Sequence, residues 1–525
     1  MHVGTLGDGK NIIPPMKKSN GGTMNNIAKL IEKFIEYGRI HLGLYKLDAI
    51  YVRNQLLHLL EVDAPYEGEI DVDFIKNLTV PDVLIDELKE YLVSKNTANP
   101  ELICVQVMGM LTPTPSFVGH KVLELEKEQT GKGLDYLYDL SIKNNYIQKT
   151  AIDKNIYFKK EYENNFLEIT INLSKPEKNN KDIAKLLSKP SKVSYPKCPL
   201  CIDNIGYFGS DTQAGRENIR YIPVFLNNEF WFIQYSPYSY FDHHAIVINE
   251  KHNNMVIDNS TFLKLLEFVK QYPTFFVGSN ADLPIVGGSI LNHEHYQCGL
   301  HLLPVFYSKD RKVYLNNESV KVSILDWYNS VIRIESKEIS KIVEFCSKIF
   351  EKWKNYEDKE ASILPFTNET RHNTITPIAR KIGDTYQMNL ILRNNRCDEQ
   401  YPDGIFHAHP EHHNIKHEGI GLIEAMGLFI LPARLKRQMS YVEDILSSEI
   451  SVEKLYQEHE DLLVHKNMID SLISSFGRNL SKEEAHKKAN DFLANTCKEI
   501  LCNTAVFKND EKGQKSFDKF MKEVF

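Results

Sequence analysis

The stretch Gly287-Gly288-Ser289-Ile290-Leu291-Asn292-His293-Glu294-His295-Tyr296-Gln297 constrains the fold more tightly than any other part of this chain. Read as a strand, it alternates faces with a period of two. His293, His295 and Gln297 then share one face, while Glu294 and Tyr296 share the other. Two imidazoles and an amide behind a glycine turn suit the handling of a phosphoryl group. The competing reading is a polar strand end whose histidines satisfy local hydrogen bonds, and a Cys-x-x-Cys upstream weighs against it.

At 525 residues the chain is too long for one simple core, so roughly two to four domains are expected. Hydrophobic residues make up 42% and charged residues 25%, the balance of an ordinary globular protein. A net charge of −7 argues against nucleic-acid binding, which asks for a basic face, yet leaves room for a small basic pocket. No apolar run approaches the ~20 residues that a bilayer span needs. Residues 1–24 lack the apolar core of a signal peptide and read as a disordered leader, or as sequence ahead of a start at Met24. Of the eight cysteines, Cys104, Cys298, Cys346, Cys397, Cys497 and Cys502 show no ligand spacing and read as reduced thiols. A cytoplasmic location follows as the expectation.

Texture divides the rest of the chain. Residues 25–155 form a helical accessory region, in which Ile27, Leu30, Ile31 and Phe34 mark an amphipathic stripe. Residues 156–312 hold the strand Phe166–Leu173, two strands across Asn227-Asn228, a strand at His244–Asn249, and a helix capped by Asp258-Asn259-Ser260. The His strand follows. Residues 313–440 repeat that order, with strands at 320–335, a helix whose stripe runs from Ile339 to Trp353, and strands at 374–379 and 386–392. They end on a second His-x-His, His407 and His409. Residues 441–525 are charged and helical. The fold class is therefore α+β, with two related halves and helical ends.

Cys198-Pro199-Leu200-Cys201 has the spacing that offers two thiolates to a tetrahedral zinc ion, and His252 and His293 are the candidates to complete it. A redox Cys-x-x-Cys is the alternative, but a thioredoxin-like βαβ context is missing. Four protein ligands would make the metal structural, a clamp on the strand that carries His295. His295 is the candidate nucleophile, attacking an α-phosphorus with one ring nitrogen while the other donates to a backbone carbonyl. Gln297 can donate to a non-bridging phosphoryl oxygen. A glutamine there suits a leaving group that needs no proton, such as a sugar phosphate. Lys175, Lys178, Arg216 and Arg220 are candidate phosphate ligands, Asn280 and Ser289 candidate nucleotide ligands, and Gly287-Gly288 would admit phosphates close to backbone N–H groups.

These pieces together resemble the type II galactose-1-phosphate uridylyltransferases of the histidine-triad superfamily. The matching segments are Ile171 to Lys178, Cys198 to Cys201, Gln234 to Tyr238, Gly278 to Gln297, Arg393 to Arg396, Asp403 to His407 and Leu431 to Lys436. The resemblance implies two histidine-triad-like halves and a ping-pong reaction. His295 would take uridylyl from UDP-glucose, release glucose 1-phosphate, and pass the group to galactose 1-phosphate. It also implies zinc on Cys198, Cys201, His252 and His293. A second metal on a His-x-His like His407/His409 is known in the type I family, but no carboxylate partner for it is evident here.

The pattern departs from the family's His-Asp-His-Phe-Gln-Gly-Gly in having Glu294, Tyr296 and Cys298, the last removing backbone freedom beside Gln297. In the family's arginine-rich stretch, Arg216, Asn218 and Arg220 survive while two histidines and a proline do not. Two alternatives stay open: a nucleoside-diphosphate-sugar or dinucleotide phosphorylase, and a catalytically silent zinc-stabilised nucleotide-binding protein. A homodimer is possible, and neither nucleic acid nor a membrane is an expected partner.

Overall fold

The computed structural model describes residues 21–174, 195–210, 213–448 and 450–525. The chain divides into two units, residues 1–113 and 114–525. In the first, helices Gly21–His41, Lys46–Leu59, Val72–Lys76, Asp82–Ser94 and Pro100–Leu111 follow one another. The Ile27, Leu30, Ile31, Phe34 stripe is buried, as are Leu84, Leu88 and Leu92 at helical spacing on the fourth of these helices. Asp71 caps the third by accepting from the Phe74 N–H. Among the described residues no single helix is long and apolar enough to cross a membrane.

The second unit opens with helices Pro115–Glu128, Lys132–Lys143 and Lys149–Ile152 and continues into the sheets. Its strands are β1 (Ile156–Glu161), β2 (Phe166–Asn172), β3 (Ile222–Leu226), β4 (Glu229–Tyr235), β5 (Ala245–Asn249), β6 (Phe276–Gly278), β7 (His295–Gly299), β8 (Asp310–Asn316), β9 (Lys321–Leu325), β10 (Val331–Ser336), β11 (Phe366–Thr367), β12 (Thr370–Arg371), β13 (Asn373–Ile382), β14 (Thr385–Asn394) and β15 (Leu428–Pro432). β1, β2 and β15 form a small sheet, β11 and β12 a short hairpin.

Among the described residues the ten remaining strands form one antiparallel sheet in the order β3-β4-β5-β7-β6-β13-β14-β10-β9-β8. From either edge the pattern is the same: an outer hairpin, a third strand, a helix, then two strands that insert in reverse order. The two α+β halves read from the sequence are thus joined along β6 and β13. In the first, the turn Asn227-Asn228 has positive φ at both residues, which suits a tight hairpin, and Asp258 forms a capping box with Thr261.

Helices Asn259–Gln271 and Ile339–Lys354 pack on one face of this sheet, with Leu265, Leu266, Phe350 and Trp353 buried. On the other face Phe276, Ile378 and Ile391 share a core with Ile169, Leu428, Leu435, Leu493 and Leu501, from the small sheet and the C-terminal helices. Register carries one row across the sheet on that second face: Gln234, Ile246, Gln297, Gly278, Ile378, Asn389 and Arg333. Gln297 therefore lies near the middle of the sheet, one strand from the join between the halves.

Candidate active site and metal centre

β7 begins at His295, later than the sequence pattern suggests. His293 lies in a bend just before it, so it is free of the ladder. The back of the strand is a filled core. Tyr296 stacks on Trp231 with centroids 4.7 Å apart and donates to Glu294 Oε1 at 3.0 Å. Glu294 also accepts from Asn249 Nδ2 at 2.7 Å and from Lys264 Nζ at 3.2 Å. A buried carboxylate is tolerated there because each of these donors compensates its lost hydration.

His295 and Gln297 take the opposite face. Nδ1 of His295 lies 2.8 Å from the His293 carbonyl oxygen, which can only accept, so the ring donates through Nδ1–H and keeps a lone pair on Nε2. Burial pushes its pKa down to about 4, against the opposing pull of that carbonyl, and the ring is neutral near pH 7. Gln297 Oε1 lies 3.0 Å from Nε2 of His244. His244 accepts the Tyr240 N–H at Nδ1, so its proton sits on Nε2 and is donated to Gln297. With its oxygen occupied, Gln297 is left with its amide N–H groups as donors. Burial pushes His244 down to about 4 as well, which keeps it in this neutral tautomer. Sequence reasoning placed His244 in a strand and missed this role; its one signal was proximity to the strand that pairs with β7.

Cys198, Cys201, His252 and His293 form a four-ligand cluster. Cys198 Sγ is 3.6 Å from Cys201 Sγ and 3.2 Å from His293 Nδ1; Cys201 Sγ is 3.1 Å from His252 Nδ1 and 3.7 Å from His293 Nδ1. Bonds of about 2.3 Å to sulfur and 2.1 Å to nitrogen demand edges of roughly 3.5–3.8 Å in a tetrahedron, so the set fits such an ion with small adjustments. Its outer contacts fit too. His293 donates through Nε2 to the Asn249 carbonyl at 2.8 Å, which leaves Nδ1 as the ligand. Asn204 ties the Cys198 and Cys201 carbonyls together at 2.9 and 2.7 Å. Burial raises the Cys198 thiol, so a cation is what makes a thiolate favourable there.

The other predicted residues are distributed differently. Asn280 accepts the Leu422 N–H at 2.8 Å and sits beside Gly288, where an added Cβ would fall 2.7 Å from Asn280 Nδ2. A Cβ on Gly287 would fall 2.6 Å from the Ala281 and Leu283 carbonyls. These glycines are therefore needed for close approach to the chain's own 280–283 segment. Ser289 is exposed. Arg216 donates to the Tyr146 hydroxyl at 3.1 Å, Asn218 exchanges hydrogen bonds with the backbone and side chain of Asn144, and Arg220 donates to the Glu217 and Ile219 carbonyls. Lys175 and Lys178 lie outside the described residues.

Two concerns raised by the sequence are resolved by geometry. Cys298 is fully buried in β7 and its φ is not positive, so glycine is not required there. Gly299 is the constrained position, since a Cβ would sit 2.5 Å from the Phe241 ring. His407 and His409 lie in an irregular stretch after β14, where Nε2 of His407 accepts the Ile420 N–H and His409 bonds the Ile405 carbonyl while stacking on Tyr401. Among the described residues they join no cluster of three ligands.

A neutral buried imidazole, an oriented amide donor, and a four-ligand cluster at the bend just before their strand suit the transfer of a phosphorus-linked group through histidine. Comparison with known proteins narrows that class. Residues 44–254 match the model for the galactose-1-phosphate uridyl transferase N-terminal domain, and residues 267–461 match the one for its C-terminal domain. A galactose-1-phosphate uridylyltransferase of Caldanaerobacter subterraneus is 40% identical over 514 residues, covering 95% of this chain and 98% of that protein. One of Clostridium acetobutylicum is 42% identical over 478 residues, covering 90% and 95%. The crystal structure of a yeast Ap4A phosphorylase aligns with 62% of this chain and 92% of its own at 10% identity and a TM-score of 0.27, too distant to inform the site. The chain belongs to the galactose-1-phosphate uridylyltransferase family, and it is a transferase.

Proposed function

We propose that this enzyme exchanges UMP between UDP-glucose and galactose 1-phosphate through a uridylyl-His295 intermediate. The observation that carries the reading is the state of His295: neutral, its Nδ1–H fixed on the His293 carbonyl, its Nε2 free. Nε2 attacks the α-phosphorus and a P–N bond forms as the bond to the bridging oxygen breaks. Glucose 1-phosphate leaves with the electron pair and needs no proton. The positive charge that develops on the ring is stabilised by the His293 carbonyl. The amide N–H of Gln297, aimed by His244, donates to a non-bridging oxygen as charge shifts onto it. Galactose 1-phosphate then attacks the same phosphorus, and Nε2 departs with its lone pair restored.

Zinc is the ion that suits Cys198, Cys201, His252 and His293, two thiolates and two imidazoles at tetrahedral separations. Bound there it would hold the bend that presents His293, with no position open for substrate. Asn280 is the favoured nucleotide ligand among the predicted residues, because it lies beside the glycine turn. Arg216, Asn218 and Arg220 support the segment that follows the cysteines, by the partners they already hold. Incubation with labelled UDP-glucose tests the reading: it requires a covalent adduct and exchange with glucose 1-phosphate. Turnover with inorganic phosphate in place of galactose 1-phosphate would mark a phosphorylase instead. Nucleotide binding with neither reaction would mark a silent binding protein.

A further inference from the structure

The irregular segment 395–421, between β14 and the short helix Leu422–Ala425, carries a second group of ligands. The donor atoms of Asp403, His413 and His417 all lie within 4.8 Å of one another. The His413 and His417 rings meet edge to face with centroids 4.4 Å apart, and His417 Nε2 is 4.0 Å from Asp403 Oδ2. His413 donates through Nε2 to the Ala408 carbonyl at 3.0 Å. That bond satisfies one ring nitrogen and leaves a lone pair on Nδ1, the orientation that metal-binding histidines receive from an outer partner.

A second observation points the same way. His407 is only 4% exposed and packs beside Gly404, the residue that follows Asp403, where an added Cβ would fall 3.0 Å from the Cβ of His407. Its Nε2 is occupied by the Ile420 N–H, so Nδ1 carries the proton, and this buried donor has no acceptor among the described residues. A ligand of an ion held by the three neighbours would supply one.

We infer that Asp403, His413 and His417 form a solvent-facing site for a borderline divalent cation such as Zn²⁺. Two imidazoles and one carboxylate are a donor set for such ions, with the remaining positions left to water. Bonds of about 2.0–2.2 Å require donor separations near 3.3–3.6 Å, so the exposed Asp403 and His417 side chains close by roughly an ångström on binding. The ion would join the two ends of the loop from 403 to 417. Positions beside those ends border the glycine turn: a Cβ on Gly404 would touch Ile285, and one on Gly419 the carbonyls of Ile285 and Gly287. The site would thus brace this loop where it lies against the glycine turn. It is independent of the uridylyl-transfer reading, which stands or falls on the adduct.

The test is metal binding by the full chain after chelator treatment. Titration with Co²⁺ separates the two clusters, because only cysteine ligation gives intense thiolate charge-transfer bands in the near ultraviolet. The expected result is one further Co²⁺ bound after those bands saturate. It should be weakened at least about tenfold by His417→Ala and by Asp403→Asn, in line with the loss of a ligand. Both residues are exposed, so neither change threatens folding. Equilibrium dialysis with Zn²⁺ should give the same difference in stoichiometry. Saturation at the thiolate site alone, or a second ion whose affinity is unchanged in both variants, would overturn the inference.

Discussion

The carbonyl oxygen of His293 accepts the Nδ1–H of His295 at 2.8 Å, while the ring of the same His293 stands 3.2 Å from Cys198 Sγ. One residue therefore faces the four-ligand cluster with its side chain and the candidate nucleophile with its backbone. The orientation of the His295 ring is thereby tied to the placement of His293 in the cluster.

Metal removal should accordingly be felt at His295 as well as in stability. Chelation, or Cys201→Ser, is expected to lower the melting temperature and to slow formation of the covalent adduct more than it weakens UDP-glucose binding. Metal content by elemental analysis, alongside a melting curve, checks the first part. Unchanged metal content in Cys201→Ser would remove this cysteine from the ligand set.

His244 is a positioning residue in this scheme. Gln297→Ala should cost about 10²–10³-fold in the rate of adduct formation, the usual effect of losing a donor to a charged oxygen. His244→Leu should cost roughly 10–100-fold, because the amide then loses its aim. The two losses should not add: in the Gln297→Ala background, His244→Leu should change little. Pre-steady-state rates with the four proteins decide it, and full additivity would disconnect His244 from Gln297.

Behind the strand, Lys264 neutralises Glu294, and both are buried. Lys264→Met leaves a carboxylate without its cation and should destabilise the protein by about 3 kcal/mol, measured by urea unfolding. The pair Lys264→Met with Glu294→Gln should recover part of that loss.

Acid sensitivity should begin at mild pH. His465 is fully buried, bonded to Gln438 and Asn414, and burial pushes its pKa down to about 4. Above about pH 6.5 it is neutral in both folded and unfolded chains and contributes no pH dependence. As pH falls from there to about 4, the unfolded chain takes up the proton first, and stability declines by up to about 1.4 kcal/mol per pH unit for such a group. Denaturant midpoints between pH 7 and pH 4 should show a shallower slope in His465→Gln than in the native protein.

What was legible in the sequence was set by local periodicity and spacing. The alternation in His293–Gln297 separates a packed back, Glu294 and Tyr296, from His295 and Gln297, and the Cys198/Cys201 spacing marks a cluster that needs two histidines. Repetition of strands, helix and strands announces two halves. What stayed hidden depends on partners distant in the chain. His244 meets Gln297 across 53 residues, through a register that only the assembled sheet defines. Arg216 and Asn218 stand in the sequence as candidate substrate ligands, and their partners Tyr146 and Asn144, 70 and 74 residues earlier, are visible only in the folded chain. The His407/His409 spacing suggests a metal pair, but the backbone there is not a strand, so the two rings find separate carbonyl and amide partners. The φ of Cys298, which decides whether a side chain is tolerated, is a property of the folded strand.

The most direct measurement is mass spectrometry of the enzyme after incubation with UDP-glucose and no acceptor. The expected result is one uridylyl group per chain on the peptide that contains His295, acid-labile as a phosphoramidate, with an equal amount of glucose 1-phosphate released and no adduct in His295→Asn. An unmodified chain that also fails to exchange label between UDP-glucose and glucose 1-phosphate, or a uridylyl group on any other residue, would contradict the assignment of His295.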